Sequence, residues 1–157
     1  MKKQFFRKLQ LPKRSSVLDL GCYDGRENTW MKDEGVFYQG VDLLHEGQNI
    51  KKTDFIPWLK NNKKKYNLII SEFSLQQVPR KHLWGTVQNI KRALRTNGYF
   101  YLASFNEADK FGPYFTQKEY LKIAEDLDIL FWNRKNGTDK KSRQRSVTEI
   151  LLKNKDS

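Results

Sequence analysis

The stretch Val17-Leu18-Asp19-Leu20-Gly21-Cys22-Tyr23-Asp24-Gly25 joins a short apolar run to a turn that contains two glycines. The run at 17–20 predicts a buried strand, and residues 26–34 predict a helix that the following glycine ends. A second strand is predicted at 36–42. Its last residue, Asp42, follows Gly25 by seventeen positions, where a carboxylate could accept bonds from both hydroxyls of a ribose. The order strand, glycine turn, helix, strand and acid therefore indicates a site for a nucleotide-like ligand.

Strand and helix patterns alternate along the rest of the chain, which predicts a largely parallel sheet covered by helices. Further strands are expected at 50–54, 66–71 and 99–105, with a helix at 56–64. A longer helix is expected to end at Asn97-Gly98 and to bury four apolar residues on one face, namely Leu83, Val87, Ile90 and Leu94.

The last part of the chain predicts one more helix and a hairpin. Thr116 and Glu119 form a capping box, and the helix that they begin carries an apolar stripe of Tyr120, Leu121, Ala124 and Leu127. Strands are expected at 129–133 and 147–152. They flank Asn136-Gly137, a pair that favours a tight turn, so the chain is expected to close with an antiparallel hairpin.

Length and composition limit the class of protein. The chain has 157 residues, enough for one core, and it contains no apolar run long enough to cross a bilayer. The basic first residues lack the apolar region of a signal peptide, so a soluble cytoplasmic protein is expected. Cys22 is the only cysteine, which excludes an internal disulfide, and with two histidines it makes a zinc site of the usual ligands improbable.

The net charge of +12 makes nucleic acid a candidate partner, although solvated lysine-rich faces explain the same charge. Cations concentrate in the final hairpin, where they suit either phosphate contacts or a solvated loop: Arg134, Lys135, Lys140, Lys141, Arg143 and Arg145. Residues 1–15 form a basic amphipathic segment. Its apolar residues suit packing on the domain itself, a membrane surface or a partner.

On its motifs the chain resembles the class I S-adenosylmethionine-dependent methyltransferases, whose first motif is an acid-x-Gly-x-Gly-x-Gly turn. The resemblance covers about residues 15 to 153. Beyond residues 19–25 it rests on Tyr38-Gln39-Gly40-Val41-Asp42, Thr53-Asp54-Phe55, Tyr66-Asn67-Leu68-Ile69-Ile70-Ser71 and Leu94-Arg95-Thr96-Asn97-Gly98-Tyr99-Phe100. Among compact members the chain is similar to the TehB-type tellurite-resistance group, in Gly21-Cys22 followed by Gly25-Arg26 and in Tyr114-Phe115-Thr116.

The resemblance implies an α/β fold, a Rossmann-like three-layer sandwich whose mostly parallel seven-stranded sheet ends in an antiparallel hairpin. A single domain over residues 1–157 is expected. The resemblance also implies S-adenosylmethionine as the cofactor, S-adenosylhomocysteine as the product, and no metal.

The resemblance further implies a role for individual residues. The methionine part of the cofactor would lie along Gly21 to Gly25, with Cys22 and Tyr23 between the glycines, and Asp19 would also have a role in cofactor binding. Asp42 would hold the ribose, Leu43 would also bind the cofactor, and Asp54 and Phe55 would face the adenine. Ser71 and Glu72 would lie beside the methyl group, and Gln76 and Gln77 would line the acceptor side.

Two positions depart from the pattern of the family. Tyr23 stands where the middle glycine usually lies, and Gln76-Gln77 occupies a place where many relatives carry histidine. If position 23 requires a left-handed backbone, a residue other than glycine costs about 1–2 kcal/mol, or roughly tenfold in affinity. Binding of a cofactor is therefore the firmer expectation, and turnover the weaker one.

Several candidate residues also have a purely structural interpretation. Asp19 could cap the turn, Asp54 could be the N-cap of the helix that follows it, and Ser71 and Glu72 could satisfy loop amides. His45 and His82 are expected to be surface or capping residues, and no feature marks Cys22 as a nucleophile. The four tryptophans are expected in the core or at its rim: Trp30, Trp58, Trp84 and Trp132.

The leading hypothesis is methyl transfer to an acceptor that is a small molecule or a nucleic acid, with residues 106–115 as the loop that covers the site. No catalytic base is assigned, because aligning the donor with the acceptor can itself lower such a barrier by several kcal/mol. The alternative is a catalytically degenerate module that binds nucleic acid or a protein. An NAD-dependent oxidoreductase is disfavoured because the turn lacks the Gly-x-Gly-x-x-Gly pattern.

Overall fold

The computed structural model describes residues 1–26 and 28–155. Its strands are β1 (Ser16–Leu20), β2 (Phe37–Asp42), β3 (Ile50–Lys52), β4 (Tyr66–Glu72), β5 (Leu94–Phe105), β6 (Leu127–Thr138) and β7 (Gln144–Asn154). The α-helices are α1 (Lys3–Lys8), α2 (Phe55–Asn61), α3 (Arg80–Ala93) and α4 (Gln117–Ala124), and short 3₁₀ segments cover Thr29–Glu34 and Leu75–Gln77.

All seven strands form one sheet in the order β3-β2-β1-β4-β5-β7-β6. The first five strands are mutually parallel, whereas β7 runs antiparallel to both β5 and β6. All five residues of β1 are buried, because this strand lies in the middle of the sheet with both faces covered. The predicted mostly parallel, seven-stranded α/β sheet with a terminal antiparallel hairpin is confirmed.

The two faces of the sheet carry separate apolar clusters. The first cluster joins the sheet to α2, α3 and α4 through Leu59, Leu83 and Tyr120. The second joins the opposite face to α1 through Phe6 and to the first 3₁₀ segment through Met31. The amphipathic residues near the start of the chain therefore pack on the sheet itself. The four tryptophans are partly buried at the rims of these clusters, as predicted.

Local side-chain contacts explain where helices α2 and α4 begin. Asp54 Oδ1 accepts from the amide of Ile56 at 2.9 Å, so Asp54 is the N-cap of α2. The predicted capping box is confirmed in both directions, because Thr116 accepts from the amide of Glu119 and Glu119 accepts from the amide of Thr116. Each contact satisfies an amide that has no partner within the helix.

Three helix predictions need correction. The segment predicted as a helix at 26–34 is a 3₁₀ turn from Thr29 onwards. Glu27 of this predicted helix lies outside the described residues, and so do residues 156 and 157 of the predicted domain. Leu94 does not belong to the helix but begins β5, because it pairs with Tyr66 of β4, and Asn97, with φ 60°, lies within that strand. The stripe of α4 includes neither Leu121, which is 52% exposed, nor Leu127, which begins β6; the helix buries Ile123 instead.

The hairpin turn also lies elsewhere than predicted. Asn136 and Gly137 are paired within β6, opposite Ser146 and Arg145. The chain reverses after Asp139, whose Oδ1 accepts from the amides of Lys141 at 2.8 Å and Arg143 at 3.0 Å. An aspartate that bonds to amides shortly after it stabilises a turn locally, and this contact prevails over the Asn-Gly pair.

Within residues 1–26 and 28–155, no helix is long and apolar enough to span a membrane.

Candidate functional site

The glycine turn lies at the carboxyl end of β1, against the adjacent strand. The amides of Gly21 and Cys22 both donate to the carbonyl of Val41, at 2.8 and 3.3 Å, and so tie the turn to β2. Gly21 and Gly25 adopt φ values of 66° and 78°, which favour glycine. A Cβ atom on Gly21 would also overlap the side chain of Ser74, which follows β4. The glycines thus let the turn approach the segment behind β4.

A cluster of polar groups lies beside this turn, at the ends of β1 and β4. Asp19 is buried, and its Oδ2 accepts from Asn28 Nδ2 at 2.9 Å and from the hydroxyl of Tyr38 at 2.8 Å. Asn28 Nδ2 also donates to Glu72 at 2.9 Å. The ammonium group of Met1 contacts Glu72 and donates to Asn28 Oδ1 at 3.0 Å. Asn28 therefore links the two carboxylates, and the cluster already holds one primary ammonium group.

Burial dominates the electrostatics of this cluster. It raises the pKa of Asp19 to about 6, although the hydrogen bonds from Asn28 and Tyr38 act to lower it. Burial also raises the pKa of Cys22 to about 12, and the negative charges of Asp19 and Asp42 add to this effect. Cys22 is consequently a neutral thiol near neutral pH, which agrees with the expectation that it is not a nucleophile.

Asp42 lies at the end of β2, and donors of its own chain occupy most of its carboxylate. Oδ1 accepts from the amides of Leu44 at 2.9 Å and His45 at 3.0 Å, and lies 2.8 Å from His45 Nδ1. Oδ2 accepts from the amide of Tyr23 at 2.8 Å. Although burial acts to raise the pKa of Asp42, these contacts hold it below its ordinary value. His45 is partly exposed, as expected of a surface residue, and its ring contacts Asp42.

Tyr23 adopts the left-handed conformation that its position in the motif suggested, with φ 54°. Its ring is 60% exposed and lies on the imidazole of His45, with centroids 4.0 Å apart. The ring is therefore placed beside Asp42 and His45.

Three further residues predicted to bind the cofactor follow strands β2 and β3. Asp54 uses Oδ1 as the N-cap of α2, which is the structural role that the sequence left open. Phe55 is half-buried against the first apolar cluster, and Leu43 is 62% exposed. These three side chains make no described contact with the carboxylate cluster.

The segment behind β4 contains both structural and unexplained polar groups. Ser71 is fully buried, lies 2.8 Å from the hydroxyl of Ser74 and accepts from the amide of Leu75, so its side chain fixes this turn. Gln76 is buried and accepts from the amide of Phe105 at 2.8 Å, whereas its Nε2 finds no acceptor within the described part of the chain. Gln77 is exposed.

Most cations of the final hairpin are neutralised by neighbouring acids. The pairs are Arg134 with Glu107, Lys135 with Glu149, Arg143 with Asp139, and Arg145 with Asp109. These pairs reduce the charge that the hairpin offers to phosphates, although Lys140 and Lys141 are exposed. His82 is exposed, and no three of the His, Cys, Asp and Glu side chains in the described residues are grouped to bind a metal.

Sequence reasoning missed Asn28, Tyr38, Met1 and Phe73. The first two could not be found from spacing. The contact of Tyr38 with Asp19 depends on the parallel register that places Tyr38 beside Val17, and the contact of Asn28 depends on the path of the turn after β1. Phe73 directly follows Glu72 and has φ 59°, a conformation that no sequence pattern indicates for phenylalanine. The contact between Met1 and Glu72 could not be predicted either, because the two residues are 71 positions apart in the sequence.

The parallel sheet with its terminal hairpin, the glycine turn after β1 and the acid that ends β2 define a Rossmann-like methyltransferase fold. The family model of the methyltransferase domain matches residues 2–135, and the chain belongs to this family. No curated protein matches the sequence.

Several solved structures share this fold at low sequence identity. TehB from Haemophilus influenzae superposes with a TM-score of 0.80 and 18% identity over 99% of this chain, which spans 63% of the TehB chain. A SAM-dependent methyltransferase from Methanosarcina mazei gives a TM-score of 0.79 and 14% identity, covering 100% of this chain and 99% of the other. The N-methyltransferase NodS from Bradyrhizobium japonicum, crystallised with S-adenosylhomocysteine, gives a TM-score of 0.75 and 14% identity, covering 98% of this chain and 85% of the NodS chain. The predicted resemblance to class I methyltransferases is confirmed.

Proposed function

We propose that the protein transfers the methyl group of S-adenosylmethionine to a separate acceptor molecule. The observation that carries this proposal is the cluster of Asp19, Asn28 and Glu72, which holds a primary ammonium group beside the glycine turn. The methionine part of S-adenosylmethionine carries the same chemical group. The cluster therefore fits the cofactor at this end, and the ammonium of Met1 acts as a stand-in that the cofactor would displace.

In this proposal each part of the turn has a separate task. Asn28 Oδ1 and the carboxylate of Glu72 accept from the ammonium group of the cofactor. The backbone of Gly21 to Gly25 lies along the methionine chain, with Cys22 and Tyr23 between the glycines. Asp19 acts behind them, because it is buried and holds Asn28 in position.

Asp42, the acid proposed to bind the ribose, already accepts hydrogen bonds from its own chain. Oδ1 of Asp42 already has three donors, whereas Oδ2 has one and can accept one further hydrogen bond. Asp42 is therefore proposed to bind one ribose hydroxyl rather than both. Leu43 and Phe55 are proposed to supply apolar contact to the adenine, with Asp54 at the edge of that surface.

The cofactor would supply an activated methyl group, because a sulfonium sulfur is a good leaving group. The protein would then hold the acceptor beside Ser71, Glu72 and the Gln76-Gln77 segment, in line with that group. Alignment of this kind contributes several kcal/mol without a base or a nucleophile. The neutral thiol of Cys22 agrees with a site that needs no nucleophile.

The degenerate binding module is not favoured, since the family and the ammonium site both point to a methyltransferase. Cytoplasmic location and contact with nucleic acid stay predictions.

Calorimetry with S-adenosylhomocysteine tests the proposed function directly. Binding is expected, and its absence at millimolar ligand with a folded protein would overturn the proposal. The site is tested by mass spectrometry after brief acylation of the amine of Met1, with and without ligand. S-adenosylhomocysteine should increase the labelling of Met1 because it displaces the ammonium, whereas 5′-methylthioadenosine, which lacks the amino acid part, should not. Equal labelling with both ligands would contradict the assignment of the ammonium site.

A further inference from the structure

A cavity of about 320 Å³ opens where β4 and β5 end, under the β6–β7 hairpin. Its wall includes the side chains of Phe73 and Phe105, and the hairpin lines it at Asn136–Thr138 and at Val147. Phe73 lies between Glu72 of the ammonium site and Ser74, which contacts the glycine turn. The cavity and the proposed cofactor site therefore share one short segment of chain. Its volume is at the lower end of the range for small-molecule sites.

Two phenylalanine rings give this cavity an aromatic wall. The rings of Phe73 and Phe105 are 4.9 Å apart between centroids and tilted by 41°. The guanidinium of Arg145 lies 3.6 Å from the centroid of Phe105. Phe73 is 39% exposed, so part of its ring is open to an incoming molecule.

The backbone of Phe73 is strained in a way that is common at binding sites. Its φ of 59° is unfavourable for a residue with a bulky side chain, and the amide of Phe73 donates to the carbonyl of Ala103 at 2.8 Å to hold it there. Such strain persists only where surrounding contacts enforce it, and it occurs most often at ligand sites. Here the strain keeps an aromatic ring at the wall of a cavity.

The charges around the cavity cancel. Arg145 binds Asp109 at 2.8 Å and Asp139 at 3.4 Å, and Lys135 binds Glu149 at 2.7 Å. Because each cation already has a carboxylate partner, the cavity does not offer an uncompensated positive charge to an anion. This arrangement favours a neutral molecule over a phosphate or an oxyanion.

One polar group next to the aromatic wall lacks a partner. Gln76 accepts from the amide of Phe105, while its buried Nε2 has no acceptor in residues 1–26 and 28–155. A buried unpaired donor is rare in proteins and calls for a functional explanation. The side chain thus fixes the backbone of Phe105, whose ring forms part of the cavity wall.

We propose that the methyl acceptor is a neutral, planar aromatic or heteroaromatic small molecule that stacks on Phe73 in this cavity. This inference rests on the proposed methyl transfer. A nitrogen, oxygen or sulfur atom of the acceptor forms the new bond to the methyl carbon as the carbon–sulfur bond of S-adenosylmethionine breaks. The bonding electrons stay on sulfur to give S-adenosylhomocysteine, and the proton of the acceptor passes to water.

The test compares 2-naphthol with decahydro-2-naphthol, which has the same hydroxyl and ring connectivity but is not planar. Calorimetry on the wild-type protein with S-adenosylhomocysteine present should show about fivefold tighter binding of 2-naphthol, as an aromatic contact provides. F73L should weaken the binding of 2-naphthol by about the same factor and leave the affinity for decahydro-2-naphthol unchanged. F105L provides a second variant with the same expected result if F73L does not fold. F37L is the matched control, because Phe37 is 56% exposed on β2 and lies outside this cavity.

Four results would overturn the inference. Two concern the aromatic contact: equal affinity for 2-naphthol and decahydro-2-naphthol, or an equal loss of affinity for 2-naphthol in F73L and F37L. The other two concern the class of ligand: tighter binding of 2-naphthyl phosphate than of 2-naphthol, or displacement of 2-naphthol by single-stranded RNA. The binding of S-adenosylhomocysteine is measured separately. If it binds and 2-naphthol does not, the acceptor inference fails alone. If it does not bind, the methyltransferase proposal fails, and the naphthol comparison made without it still reports on the cavity.

Discussion

The ring of Tyr23 lies on the imidazole of His45, and His45 in turn bonds to Asp42 through Nδ1. Tyr23 has a left-handed φ of 54°, a conformation that favours glycine. The cost of placing a tyrosine there is therefore a cost of folding.

Two substitutions separate the strain at position 23 from the contact of its ring. Tyr23→Ala removes the ring and keeps a Cβ at positive φ, whereas Tyr23→Gly removes both. Tyr23→Gly should be more stable than Tyr23→Ala by about 1 kcal/mol, and wild type should exceed Tyr23→Ala by about 0.5–1.5 kcal/mol from the ring contact. Urea denaturation measures both differences. Equal stability of the alanine and glycine variants would show that the backbone is not strained.

Asp19→Asn should make the protein more stable at neutral pH. Burial raises the pKa of Asp19 to about 6, above its ordinary 3.8, so the folded state binds a proton more tightly than the unfolded state does. The contribution of Asp19 to stability therefore falls as pH rises from about 4 to about 6. Asparagine does not titrate, and its carbonyl can accept the bonds from Asn28 and Tyr38 that Oδ2 accepts now.

The difference in unfolding free energy between Asp19→Asn and wild type should widen from pH 4 to pH 7, by at most about 3 kcal/mol. Denaturation at several pH values measures it. Asp128→Asn is the control, because it makes the same substitution at an exposed aspartate. A difference that shrinks with rising pH would contradict the raised pKa.

Gly21→Ala and Gly85→Ala should change stability in opposite directions. At Gly21 the φ of 66° and the side chain of Ser74 both oppose a Cβ, so a loss of about 2 kcal/mol or more is expected. Gly85 lies in α3 with open space around it, and alanine there should stabilise the helix by about 1 kcal/mol. Thermal denaturation of both variants checks this. Similar effects at the two positions would argue against a packing role for Gly21.

The fold was predictable because its main signals are local and agree with each other. The alternation of apolar strands and amphipathic helices, together with the Thr116 capping box, predicted the sheet and its order of elements. Local signals failed where a tertiary contact prevails over them. Asn97-Gly98 lies inside β5 because Tyr66 pairs with Leu94, and the hairpin turn follows Asp139 because its carboxylate binds the amides beyond it.

The site was predictable only in part. Asp19, the two glycines and Asp42 follow from their places at the ends of strands. Asn28 and Tyr38 could not be found, because a hydrogen bond to a buried acid depends on register and on the path of a turn. The occupation of Asp42 by His45 likewise depends on a side-chain rotamer, which spacing along the chain does not determine.

Asp109→Asn should destabilise the protein at neutral pH and remove a part of its sensitivity to acid. Burial acts to raise the pKa of Asp109, but Arg145 and the amides of Phe111 and Ser146 outweigh it and hold that pKa below its ordinary value. The stabilisation from Asp109 is therefore fully present above pH 4 or so and is lost as pH falls through the lowered pKa. Because the carboxylate is fully buried against Arg145, asparagine should cost about 3 kcal/mol at pH 7 and progressively less as the pH falls through the lowered pKa of Asp109. Denaturation at pH 7 and at a series of acidic pH values, with Asp128→Asn as the exposed control, measures the change. If Asp109→Asn has no cost at pH 7, the ion pair with Arg145 does not contribute to stability.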